Sequence, residues 1–174
     1  MNNRQTGRNT LSYWIRKLGA SVFFLGYFPY GPGTVGSAVT VCALWYLDYR
    51  YQNLFTPEHL VFYWGAIMML ALVSIYLSSQ SKEVFGSDDP GPVIIDEVVG
   101  QFVTFFMIPL SIRTLIAGFL LFRLFDIIKP FPVHHMEEME GGVGITMDDV
   151  AAGVMANISL ILILSGYHWV KSYL

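Results

Sequence analysis

Five carboxylates invite a chemical reading. Asp96 and Glu97 sit in VIIDEVVG, Asp126 in LFRLFDIIKPFP, and Asp148 and Asp149 in EGGVGITMDDVAAG. All adjoin apolar sequence, where ionisable groups are functional candidates by default. Plain structural readings compete with that. Acids favour the positive end of a helix dipole. One of Asp148 and Asp149 can cap a helix; a cap needs one acid, and the second stays unexplained. On a helix, Arg123, Asp126 and Lys129 share a face, which allows an internal ion pair at a helix end. It equally allows one metal-binding carboxylate flanked by two cations for an anionic group. Arg123 would offer a fork of donors suited to phosphate, and Lys129 a mobile point charge.

Five ionised carboxylates side by side need compensating charge. Protonation, basic partners or a divalent cation can supply it. An all-oxygen donor set suits Mg²⁺, Mn²⁺ or Ca²⁺ better than zinc. A phosphate-binding element is also on offer. In YGPGTVGSAVT, Gly33, Thr34, Gly36 and Ser37 fall at a helix start, where free N–H groups and hydroxyls can cradle a phosphate. A plain turn into a closely packed helix explains that stretch equally well, and no Walker Gly-Lys-Ser/Thr follows. Gly141, Gly142 and Gly144 predict a tight loop able to approach a ligand. Metal plus phosphate points to phosphoryl chemistry. Other phosphatase signatures are missing: no Cys-x5-Arg loop follows Cys42, and no Ser-Gly-His accompanies His134 and His135, which are expected as solvated loop residues.

The elements that must position these groups are apolar. Hydrophobic residues make up 54% of the 174 residues and charged ones only 13%, about half the usual charged share. Five apolar stretches, 35–50, 59–78, 94–110, 112–129 and 149–170, are candidate membrane segments. Segment 11–30 is aromatic and amphipathic and is expected at the interface or as a re-entrant piece. The expected architecture is an all-α, polytopic integral membrane helix bundle, one domain over 1–174. Arg4, Arg8, Arg16 and Lys17 precede the first stretch and put the N-terminus in the cytoplasm. Threading from there sets Lys82, Arg123 and Lys129 on the same side, with Trp45, Trp64 and Trp169 near the outer ends. His59 and His168 also map to the outer side. Asp96, Glu97, Asp126, Asp148 and Asp149 all gather at the cytoplasmic ends. A net charge of -3 without a basic run argues against nucleic acid as a partner. A lone cysteine excludes an internal disulfide and a cysteine-based zinc cluster. A cation transporter would hold its acids near mid-bilayer, and a non-enzymatic lipid-binding subunit would not need so many metal-suited carboxylates.

Four stretches carry a family resemblance. PGTVGS (32–37), IDEVVGQ (95–101), FRLFDIIKPFP (122–132) and GGVGITMDDVAAG (141–153), in that order and spacing, resemble the signature segments of the phosphatidylglycerophosphatase A family. The resemblance runs from about residue 25 to 160. It implies a bacterial inner-membrane enzyme that removes the terminal phosphate of phosphatidylglycerophosphate in the cytoplasmic leaflet, leaving phosphatidylglycerol, with Mg²⁺ required. Under that reading Asp96, Glu97, Asp126, Asp148 and Asp149 supply the metal ligands and one general base. Arg123 and Lys129 hold phosphate oxygens, with Gly33, Thr34, Gly36 and Ser37 completing the cradle. Attack by water needs no extra motif and is preferred to a phospho-aspartate route. A different lipid phosphomonoesterase is the nearest alternative.

Overall fold

Eight α-helices make up the fold of the computed structural model, with no strand among the described residues, 11–51 and 57–172 (the side chains of Pro57 and His168 excepted). Arg4 and Arg8 lie outside them. In chain order the helices are α1 (Leu11–Ala20), α2 (Pro32–Tyr51), α3 (Leu60–Ser78), α4 (Ser81–Phe85), α5 (Ile95–Thr104), α6 (Ile112–Ile128), α7 (Val133–Glu137) and α8 (Gly141–Lys171).

Local chemistry explains several boundaries. Proline suits the first turn of a helix, and α2 starts at Pro32 behind a left-handed Gly31. A reciprocal capping box opens α6: the Thr114 N–H donates to Ser111 Oγ at 3.3 Å, and the Ser111 N–H donates to Thr114 Oγ1 at 2.8 Å. Lys129 closes α6 in a left-handed conformation, φ 48°, ahead of Pro130, as the proline predicts. The amide of Asn157 on α8 donates to the carbonyls of Thr104 and Phe106 at 2.9 and 2.8 Å. These would otherwise be bare at the end of α5. Arg16 is buried and donates to the Tyr76 carbonyl and to Ser79 Oγ. Its guanidinium lies 4.2 Å from the Tyr76 ring centre, so α1 is bound to the C-terminal end of α3.

Two expectations change. The third apolar stretch, 94–110, yields a helix of only ten residues. At about 1.5 Å per residue it covers about 15 Å, half of a roughly 30 Å hydrocarbon layer. The chain then turns through Phe105–Leu110 into α6. Second, the glycine-rich run 141–147 is not a loop. It is the start of α8, a 31-residue helix. Gly142 lies so close to α3 that a Cβ would stand 2.7 Å from the Ser79 nitrogen. Tertiary packing here overrides the poor helix propensity of glycine. By length and apolarity, α3 and α8 can cross a membrane; α2 and α6 are less apolar or shorter.

Polarity is distributed inside out for a water-soluble fold. Ile112, Ile116, Leu120, Leu124 and Ile127 form an exposed stripe along α6, and Val61 and Phe62 on α3 are 80% and 77% exposed. Inside, Ser74 Oγ and Thr146 Oγ1 are 2.7 Å apart, and the buried Thr104 hydroxyl donates to the Gly100 carbonyl at 2.9 Å. Apolar outside and hydrogen-bonding polar groups inside is what lipid demands of a bundle.

At the centre, α5 packs against α8, α2 and α6. Two glycines allow the closest approach. A Cβ at Gly100 would clash with the Phe122 ring and stand 2.9 Å from the Asp149 carbonyl oxygen; one at Gly153 would stand 3.0 Å from Val103 Cβ. Around this contact Phe122, Val133, Ala152 and Ala156 form one buried cluster, and Leu44, Phe105, Ile108, Leu115 and Leu160 another.

Candidate active site

Asp96 and Glu97 occupy the first turn of α5, led in by Pro90, Gly91 and Pro92. The Ile94 N–H donates to the Ala20 carbonyl at 2.9 Å and holds that entry against the end of α1. Asp148 and Asp149 lie about two turns inside α8, too deep for either to be its cap. Asp126 is in the last turn of α6 and Lys129 just beyond it. All seven charged residues expected at the site, these five carboxylates with Arg123 and Lys129, line one cavity of about 250 Å³.

One oxygen each from Asp96, Glu97 and Asp149 lies within 4.8 Å of the other two. Asp96 is 8% exposed and Asp149 3%, so water screens them little. The cations are already engaged. Arg123 pairs with Asp126 at 2.5 Å and approaches Glu97 at 3.9 Å. Lys129 bridges Asp148 at 2.8 Å and Glu137 at 2.7 Å. With Asp89, six carboxylates line the cavity against two cations, so four formal negative charges have no counter-charge there. Glu97 Oε2 is buried and accepts no hydrogen bond among the described residues. A buried acceptor left bare is costly. A hard divalent cation suits this donor set: all oxygen, closely spaced and charge-deficient.

The YGPG stretch contributes selectively. Gly31, Pro32 and Gly33 line the cavity. Gly33 must be glycine-small, because a Cβ there would collide with the Glu97 carboxylate and stand 3.1 Å from Arg123 Nη1. Thr34 is exposed and off the cavity wall. Gly36 packs instead on Ile94, where a Cβ would stand 3.1 Å from Ile94 Cβ, so its smallness serves helix packing. Ser37 is fully buried, its hydroxyl without a partner among the described residues. His134 and His135 are exposed, on α7 rather than in a loop, and line no part of the cavity.

Three features escape sequence reasoning. Glu137 is the second partner of Lys129, whose hydrogen bond holds its carboxyl below the ordinary glutamate range; no spacing rule links residues on different elements. The turn Asp89–Gly91 forms part of the cavity wall. Gln101 is fully buried, with both ends of its amide unpartnered among the described residues. Its place four residues after Glu97, on the same helix face, was an available signal.

Comparison with known proteins agrees in one direction. The phosphatidylglycerophosphatase A family model matches residues 18–164. A phosphatidylglycerophosphatase A of Escherichia coli (strain K12) is 34% identical over 150 residues, covering 84% of this chain and 81% of that protein. One from Haemophilus influenzae is 39% identical over 100 residues, covering 56% and 60%. A Bacteroides thetaiotaomicron protein that carries the provisional name phosphatidylinositol-3-phosphatase is 36% identical over 142 residues, covering 78% and 85%. No solved structure matches. With the family model covering most of the chain and carboxylates from three helices meeting in one cavity, the chain belongs to the phosphatidylglycerophosphatase A family.

Proposed function

We propose that the protein hydrolyses the terminal phosphomonoester of phosphatidylglycerophosphate, giving phosphatidylglycerol and phosphate, with Mg²⁺ as cofactor. The observation that carries this is the approach of Asp96, Glu97 and Asp149 oxygens to within 4.8 Å, beside the guanidinium of Arg123.

Asp96, Glu97 and Asp149 would hold the cation, with Asp126 and Asp148 in reach of the same cavity. When bound, Mg²⁺ supplies Lewis-acid neutralisation of charge on the phosphoryl oxygens. Arg123 exchanges its Asp126 contact for two phosphate oxygens, for which its planar fork is suited. Lys129 adds a point charge while Glu137 and Asp148 keep it in place. One of the five carboxylates takes a proton from the attacking water. The phosphorus gains the water oxygen, the bond to the ester oxygen breaks, and the carboxyl that took the water proton returns it to the leaving alkoxide, giving the alcohol.

In the membrane, α2, α3, α6 and α8 cross, α5 reaches partway, and α1 lies at the interface. The cavity then opens to the cytoplasmic leaflet of a bacterial inner membrane. Arg16, Lys17 and Lys82 fall at that end, as the positive-inside rule requires.

The test is phosphate release by purified protein from a panel of phospholipid monoesters, with and without Mg²⁺. Phosphatidylglycerophosphate is expected to be turned over fastest, and chelation of Mg²⁺ to abolish release. Metal-independent release, or none from any lipid, refutes the reading. Phosphatidylinositol 3-phosphate belongs in the panel because of the Bacteroides relative's name; preference for it would shift the substrate within the same chemistry.

A further inference from the structure

A second cavity, about 450 Å³, lies along the seam of α2 and α6, with Ala38, Val41 and Cys42 on one wall and Ile116, Phe119 and Leu120 on the other. Its walls are apolar. The two helices run antiparallel, since the start of α2 at Gly33 lies beside Arg123 near the end of α6. Helix periodicity joins this groove to the charged cavity. Ile112, Ile116, Phe119 and Arg123 recur on one face of α6, so Arg123 is the next member of the stripe that forms the groove wall. On α2, Thr34, Ala38, Val41 and Trp45 recur in the same way, which sets the exposed Thr34 at the groove's near end. The groove thus leads from the outer part of the bundle to the guanidinium that faces Glu97.

We propose that this seam receives an acyl chain of the lipid substrate and so fixes the phosphate at Arg123. The proposal rests on the phosphatase reading above for the identity of that lipid. Bilayer tails are as apolar as the groove, so transfer from water does not drive entry. What the groove contributes is orientation: a chain held between α2 and α6 brings its own headgroup to Arg123 in a fixed direction. The other large apolar cavity lies between α3, α5 and α8. Its α8 wall is Met147, Val150, Val154 and Asn157, a stripe that contains none of the charged residues of the site.

Cys42, the only cysteine in the chain and exposed, gives direct access to the groove. The protein is alkylated with pyrene maleimide and assayed on a long-chain lipid and on a dibutanoyl form with the same headgroup. Alkylation is expected to lower kcat/KM about tenfold for the long-chain lipid and less than about twofold for the short one. Ala38→Trp, without reagent, should reproduce the split. Equal losses on both substrates, or no loss on either, overturn the proposal. If untreated protein hydrolyses neither lipid, the phosphatase reading fails instead. The groove is then judged by photo-crosslinking with a phospholipid carrying a diazirine at its chain end. Capture concentrated in 38–45 and 112–120 supports the seam as a chain site. Capture spread evenly around the bundle, or Cys42-linked dimers on mild oxidation, shows bulk lipid or a second copy there and overturns it.

Discussion

Helices α3 and α5 pack side by side, yet they obey different rules. α3 has 19 residues, and its outer face is Val61, Phe62, Met69 and Leu72, all well exposed. α5 has ten residues and buries Asp96, Gln101 and Thr104, with Glu97 nearly so. The peripheral helix has the length and surface that a hydrocarbon layer asks for. The central one is walled by protein and escapes that demand, so it can be short and polar. Ionisable groups are tolerated at such depth only where protein or a cavity surrounds them.

The contrast can be broken at its strongest point. Asp96→Asn removes a charge from the cavity while keeping shape, and kcat should fall at least about 10³-fold with little change in thermal unfolding. Turnover within a few-fold of the parent would remove Asp96 from the metal set. Gln101→Leu probes the same helix more subtly. An unpartnered buried amide costs about 1–3 kcal/mol, so a purely structural Gln101 would be improved by leucine. If the amide acts on Glu97 one turn away on the same face, stability should be unchanged or raised and activity lowered about tenfold. Unchanged kcat and KM would make Gln101 mere filling. Leu72→Ala on α3 should have the smallest effect, within about 0.5 kcal/mol in stability and without change in turnover, since its side chain is well exposed. A loss above about 2 kcal/mol would mean that this face is covered by protein.

Much of the charged site was legible in the residues themselves. Acids beside apolar runs, and cations sharing a face with Asp126, marked the seven groups that meet in the cavity. Helix boundaries around them were less legible, because glycine is ambiguous. Gly141, Gly142 and Gly144 read as a loop from propensity, yet the backbone of α3 at Ser79 makes Gly142 a packing residue and extends α8 by two turns. That extension carries Asp148 and Asp149 inward, away from the helix end where capping would have explained them. The same ambiguity governs 33–37. Gly33 spares room for Glu97 and Arg123, whereas Gly36 spares room for Ile94; only the neighbour distinguishes them. The length of α5 was also hidden, since Phe105–Leu110 is as apolar as a helix would be and the stop lies in packing and in the Asn157 hydrogen bonds.

Gly100 and Gly153 have a consequence beyond snug backbones. They set the register of α5 against α8, and each helix carries one side of the acidic cluster three or four residues away. Sliding either rod by a single residue would drive the Phe122 ring or a peptide carbonyl into occupied space. The separation of the carboxylates is therefore gauged by two absent methyl groups: the spacing that an ion would have to fit is set by atoms that the chain leaves out.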